Sequence, residues 1–190
     1  MRLLIVVSLL LALACSDIEP KETSAYFSLD SLVDAQLNVL SKGSLSLEKT
    51  AYTLTDTSRV TFKPDSSQWA DEMSLFRTFN INKPALIGQY SITERPDKKS
   101  NLMVQRYEAN EEDMEVQLLE LYYLEDLSDL KIIRSTMRED NAVFTSMKRI
   151  HLQFDKLGGT TKLKSYRIQG AQKMVLQDSA SFVIKGRVIY

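Results

Sequence analysis

A chain of 190 residues, 44% hydrophobic and 26% charged, suits one domain with a real core, and its 6 Gly and 4 Pro argue against long disordered tracts. Its 24 basic and 25 acidic residues leave a net charge of −1, so composition gives no electrostatic footprint for nucleic acid and no polybasic patch for anionic lipid. A single cysteine excludes an intrachain disulfide and a cysteine-cluster zinc site.

Residues 1–15 read MRLLIVVSLLLALAC. Arg2 supplies a short positive n-region. Leu3 to Leu13 are apolar except for Ser8, and Ala12 and Ala14 are the small residues of a cleavage site. The apolar run is about 12 residues, short of the roughly 20 that a spanning helix needs, and reads as a signal peptide.

The stretch Leu11-Ala12-Leu13-Ala14-Cys15 resembles the lipobox of bacterial lipoproteins. That resemblance implies a diacylglycerol on the Cys15 thiol, cleavage before Cys15 and acylation of the new amine. Ala14 and Cys15 match; Ala12 stands where leucine is typical. Ala12-Leu13-Ala14 also fits an ordinary A-x-A secretion site, but the chain's one cysteine stands where lipidation requires it. Each buried CH₂ contributes about 0.8 kcal/mol, so two or three acyl chains hold where one does not. Losing the leader with Arg2 takes the net charge to −2.

The expected organisation is a signal peptide over 1–14, a lipidated tether over 15–25 and one globular domain over 26–190. The tether, SDIEPKETS from Ser16 to Ser24, spans up to roughly 30 Å when extended. Asp17 and Glu19 after Ser16 resemble the surface-export signals of Bacteroidota lipoproteins. The expected location is the cell envelope, at the outer membrane on its periplasmic or surface face.

Ser28 suits a helix N-cap, followed by Leu29, Leu32, Val33, Leu37 and Leu40 at helical spacing and Gly43 as a stop. Alternation over Ser44 to Leu54 and over Arg59 to Lys63, around Asp56-Thr57-Ser58, predicts a hairpin. A second helix is expected from Asp65 or Ser66, with Trp69, Met73, Phe76 and Phe79 as its apolar stripe and Asn82-Lys83-Pro84 as its end.

Strands are then expected at Ile87 to Thr93, Leu102 to Tyr107, Val116 to Leu124, Leu130 to Met137, Val143 to Phe154, Lys162 to Ile168, Gln172 to Leu176 and Ser181 to Tyr190. Short polar connections between them imply antiparallel pairing. In the last strand Phe182, Ile184, Val188 and Tyr190 face opposite to Lys185 and Arg187, the mark of a sheet with one wet side. Val116 to Leu124 is apolar on both faces: Val116, Leu118, Tyr122 and Leu124 on one, Leu119, Leu121 and Tyr123 on the other. Helices are expected over one face and a curled sheet or cavity over the other.

Catalytic chemistry is sparse. The lone His151 alternates with Arg149 and Gln153 away from Ile150, Leu152 and Phe154, and so reads as solvent-facing. Ser46-Leu47-Glu48-Lys49 matches S-x-x-K, but S-D-N and K-T-G are absent, as is a G-x-S-x-G elbow. Glu111-Glu112-Asp113 lacks calcium-loop spacing and reads as a solvated loop. Gly158-Gly159 reads as a turn, not a phosphate cradle. Asp30-Ser31-Leu32 and Asp178-Ser179-Ala180 resemble the O-glycosylation acceptor pattern of Bacteroidota. Tyr166-Arg167-Ile168-Gln169-Gly170-Ala171-Gln172-Lys173-Met174, with Asp178 and the final strand, resembles the end of small envelope lipoproteins of that group. It covers the last third of the chain and implies setting and fold, not site residues.

The expected fold class is α+β: one or two N-terminal helices on a large, mostly antiparallel, twisted sheet, in the form of a half-barrel like that of lipoprotein carriers. No catalytic residue, cofactor or metal ligand is expected. The expected role is an anchored, non-enzymatic envelope protein that binds a partner protein or is structural, with carriage of a lipid or other apolar ligand in the curved sheet as the alternative. Cys15 is the one functional residue. Cys15→Ala protein is expected to lose radiolabelled palmitate incorporation and to leave the membrane fraction; retention of both would overturn the lipoprotein reading.

Overall fold

The structure, a computed structural model, describes residues 25–174 and 179–190. Cys15, the signal peptide, the tether through Ser24, the end of the strand expected over Gln172 to Leu176, and Asp178 of Asp178-Ser179-Ala180 lie outside them.

Among the described residues, two α-helices and nine strands form the fold. Helix α1 spans Leu29–Leu40 and is capped by the Ser28 side chain, which accepts from the Ser31 N–H. Strands β1 (Ser46–Tyr52) and β2 (Thr57–Phe62) form the expected hairpin. Helix α2 spans Ser66–Arg77 and starts with a capping box between Asp65 and Gln68. Seven strands follow: β3 (Tyr90–Pro96), β4 (Met103–Ala109), β5 (Val116–Tyr123), β6 (Leu130–Asp140), β7 (Phe144–Leu157), β8 (Thr160–Met174) and β9 (Ala180–Ile189).

All pairs are antiparallel, in the order β2-β1-β9-β8-β7-β6-β5-β4-β3. The sheet stays open, with β2 and β3 at its edges. The β3 edge ends in Pro96, which has no N–H to offer a ladder. The turn from β7 to β8 uses Gly158 and Gly159 at φ 62° and 77°, a backbone that disfavours side chains.

Both helices lie on one face. Their Leu29, Val33, Leu40, Trp69, Met73 and Phe76 pack with Phe79 and Ile81 against Leu47, Leu119, Leu121, Ile133, Ile150, Leu152, Leu163 and Ile168 of the sheet. One polar clamp ties α1 to the sheet. β9 pairs with β8 only from Ser165 onward, so β8 has unpaired backbone groups before that point. The buried Gln36 side chain takes the place of a strand there: its amide donates to the Thr161 carbonyl at 3.0 Å, and its oxygen accepts from the Leu163 N–H at 2.8 Å. A second tie joins α2 to β1 and β8. Glu72 accepts from Lys49 at 2.7 Å and from the Tyr166 hydroxyl. The Tyr166 ring lies over Gly186, where an added Cβ would stand 2.1 Å from ring carbon.

Several boundaries differ from the sequence reading. Helix α2 stops at Arg77, so Phe79 and Ile81 are buried without being helical, and Pro84 opens a 3-10 turn over Pro84–Leu86. β3 starts at Tyr90, not Ile87, because Gly88 takes φ 82° just before it. The two strands expected on either side of Gly170 are one strand: Phe182 of β9 lies across Gly170 and fills the place of its side chain. Val116 faces the helices, not the side of Leu118, because a bulge between them shifts the register.

Replacing Gln36 with Leu leaves the Leu163 N–H and the Thr161 carbonyl without their partner. Urea unfolding is expected to show a loss of about 1–3 kcal/mol; a change below about 0.5 kcal/mol would remove the clamp from the account.

Candidate functional site

Strand alternation that sends the apolar residues to the helices sends a second set to the bare face. The register aligns that set into rows across the sheet. One row runs Thr93, Arg106, Glu120, Arg134, His151, Arg167, Lys185, Thr50, Arg59, each directly opposite the next. It crosses all nine strands and carries five permanent cations, one histidine and one carboxylate.

At the β4–β6 end the charges are matched. Arg106 donates to Glu120 at 2.8 Å and to Glu108 at 3.0 Å. Its pKa is raised, with the Glu108 hydrogen bond the largest cause. Glu120 also accepts from the Tyr122 hydroxyl at 3.1 Å, and Arg134 lies 4.7 Å over the Tyr122 ring. These contacts explain why β5 is buried on both faces. Helices cover one side; arginine side chains, not a curled sheet or cavity, cover Glu120 and Tyr122 on the other.

At the other end the cations are open. A cleft of 710 Å³ lies over β7, β8, β9, β1 and β2. Its lining includes Arg59, Arg167, Lys185, Arg187 and His151, with Thr50, Gln153, Ser165 and Gln169 as neutral hydrogen-bonding groups and Tyr52 as an aromatic wall. Among the described residues Glu48 is its only carboxylate, and it is held by Arg187 at 2.8 Å. Among the described residues Arg59, Arg149, Arg167 and Lys185 form no ion pair. Lys185 instead lies 5.1 Å over the Tyr52 ring. A smaller cleft of 210 Å³ shares His151, Arg167 and Gln169 and adds Arg134 and Arg149, so the trough continues toward β6.

His151 therefore sits on the face that its alternation predicts, half-buried between Arg134 and Arg167. Burial lowers its pKa first, and the two guanidinium groups lower it further. No hydroxyl is hydrogen-bonded to it among the described residues. Ser165 donates to Gln153 at 2.8 Å. The other sequence candidates fall elsewhere. Ser46 and Glu48 lie on β1, where Lys49 faces the helices against Glu72. Glu111, Glu112 and Asp113 are exposed in a loop. Asp30 accepts from Asn80 at 2.6 Å in the first turn of α1. Among the described residues no three His, Cys, Asp or Glu gather as a metal group, and no helix is long and apolar enough to cross a membrane.

The basic trough was not expected from a near-neutral composition. Its residues come from separate strands, with no basic run in the sequence. The available signal was alternation: Arg149, His151, Arg167, Lys185 and Arg187 each stand opposite in phase to an apolar set. No family model, curated protein or solved structure matches this chain.

The histidine gives a pH test. In the unfolded chain it protonates near its ordinary value of 6.5, and in the fold only at lower pH. Between the two, the unfolded chain binds more protons, so this contribution is lost as pH falls through that window. Acidification from about pH 7.5 to about 5.5 should lower the Tm of the parent more than that of His151→Gln protein. Equal losses would show that His151 carries no such linkage.

Proposed function

We propose that this protein is a lipid-anchored envelope protein that works by binding and presents the helix-free face of its sheet to its partner. The observation that carries the reading is the 710 Å³ cleft on that face, rich in unpaired cations and neutral hydrogen-bonding groups. Clefts of roughly 300–1,000 Å³ are the usual size for small-molecule recognition. The lipobox-like stretch ending in Cys15 and the polar SDIEPKETS segment after it support an envelope setting.

Binding is favoured over catalysis by what the cleft groups are doing. The only carboxylate is engaged by Arg187, and the serine hydroxyl by Gln153. A nucleophile paired with a base is the minimum for covalent catalysis, and His151 has no such partner among the described residues. Carriage of an apolar ligand would need an apolar chamber. Trp69, Phe76, Phe79 and Leu121 fill the space between helices and sheet, each at most 1% exposed. Recognition on the polar face has the stronger support.

A photoreactive amino acid placed at Gln169, on the bare face, tests this in intact cells against one placed at Asp71, exposed on α2. Illumination is expected to yield discrete adducts from Gln169 and none from Asp71. Adducts from Asp71 alone, or the same adducts from both, would refute the assignment of the binding face.

A further inference from the structure

Lys185 and Arg167 stand directly opposite each other on β9 and β8, and Arg167 stands opposite His151 on β7. Neighbouring strands are about 4.8 Å apart, and like charges directly opposite destabilise a sheet. Arg59 closes the row from β2, across Thr50. Among the described residues, three cations at one cleft thus form no ion pair, where the strand pairing itself disfavours them. The same fold neutralises comparable cations elsewhere: Arg106 by Glu108 and Glu120, Arg187 by Glu48.

With His151 neutral, Arg59, Arg167, Lys185 and Arg187 against Glu48 leave the cleft at +3. That excess matches a ligand group with two negative charges better than a single carboxylate. The remaining lining is specific in kind. Gln153, Gln169, Thr50 and Ser165 offer neutral donors and acceptors, as a hydroxyl-rich molecule requires, and no stretch of aliphatic side chains is present to receive an acyl chain.

We infer that the cleft binds the phosphomonoester group of a small, soluble, polyhydroxylated molecule, with Arg59, Arg167 and Lys185 on the phosphate and the glutamines on the hydroxyls. A phosphomonoester carries close to two negative charges at neutral pH and three strong acceptor oxygens, which suits forked guanidinium donors. Binding relieves the repulsion across β8 and β9, so the ligand stabilises the fold as well as filling the cleft. This inference rests on the bare face being the binding surface and names its ligand chemistry.

The test uses full-length protein in non-ionic detergent at low salt, titrated calorimetrically with glucose 6-phosphate, glucose and inorganic phosphate. Glucose 6-phosphate is expected to bind saturably and to raise the Tm. Inorganic phosphate should bind at least about tenfold more weakly, and glucose not measurably. Arg167→Gln and Lys185→Gln should each weaken glucose 6-phosphate binding at least about tenfold, and added salt should weaken it in the parent. Glu48→Gln, which removes the cleft's only carboxylate, should tighten it several-fold, and so keeps the test decisive if a cation variant misfolds. No saturable binding by about 10 mM overturns the inference. So does binding that ignores Arg167→Gln in a folded variant, or inorganic phosphate binding as tightly as glucose 6-phosphate. Gln169 adducts that persist while phosphate binding fails would remove this inference alone; phosphate binding without adducts would remove the partner-binding reading alone.

Discussion

The structure depends on one pairing, β1 against β9, which joins the start of the domain to its end. Seven residue pairs from Ser46↔Ile189 to Tyr52↔Val183 place the N-terminal hairpin at the far side of the meander. β2 then lies at one edge of the sheet and β3 at the other. The chain between them must cross eight strand spacings, about 38 Å at 4.8 Å each. Twelve residues of α2 give about 18 Å of that length, and the extended chain after Arg77 supplies the rest. A connection that long can cross only over a face. It crosses over the apolar one, carrying Trp69, Met73, Phe76, Phe79 and Ile81 into contact with it. Among the described residues the other face carries no helix, because the crossover from β2 to β3 is spent on its opposite.

This division sets two different physical problems. On the helix side, buried polar side chains are held by specific partners, as with Gln36 on the β8 backbone and Glu72 between Lys49 and Tyr166, while the buried Trp69 indole N–H has no partner among the described residues. Burial and the Glu72 carboxylate both drive the Tyr166 hydroxyl far above its ordinary pKa, so it stays a donor at any physiological pH. On the bare face water screens the charges, and cations can face one another across strands at tolerable cost. The apolar core lies under the helices, and the cations without an ion-pair partner lie on the screened side.

Much of this was legible in the sequence. The Ser28 cap, the Leu29–Leu40 stripe, the Trp69-Met73-Phe76 spacing and the Gly158-Gly159 turn are local signals, and each element forms where its residues say. The misses have nonlocal causes. The end of α2 depends on where the crossover must unwind to reach β3. The unity of β8 depends on Phe182 lying across Gly170, a contact between strands. The facing of Val116 depends on a bulge against β6. The cleft is the extreme case. His151, Arg167 and Lys185 were each assignable to the polar phase of a strand, but nothing along the chain says that they fall in one row. A net charge summed over the chain hides such a row completely.

The row itself is not uniform, and the position of its two carboxylate partners explains where the cleft lies. Glu120 on β5 occupies the row and takes Arg106, while Glu108 flanks it on β4. Tyr122 then occupies Arg134, so everything from β4 to β6 is locally matched. From β7 to β2 the row holds no carboxylate at all. Glu48 stands two residue pairs along, one row over on the same face, opposite Arg187 rather than Lys185, and spends its charge there. A one-row shift of Glu48 would have put a carboxylate beside Lys185 and neutralised the centre of the trough. The register of the β1–β9 pair that orders the whole sheet is therefore also what leaves Arg167, Lys185 and Arg59 without an internal anion.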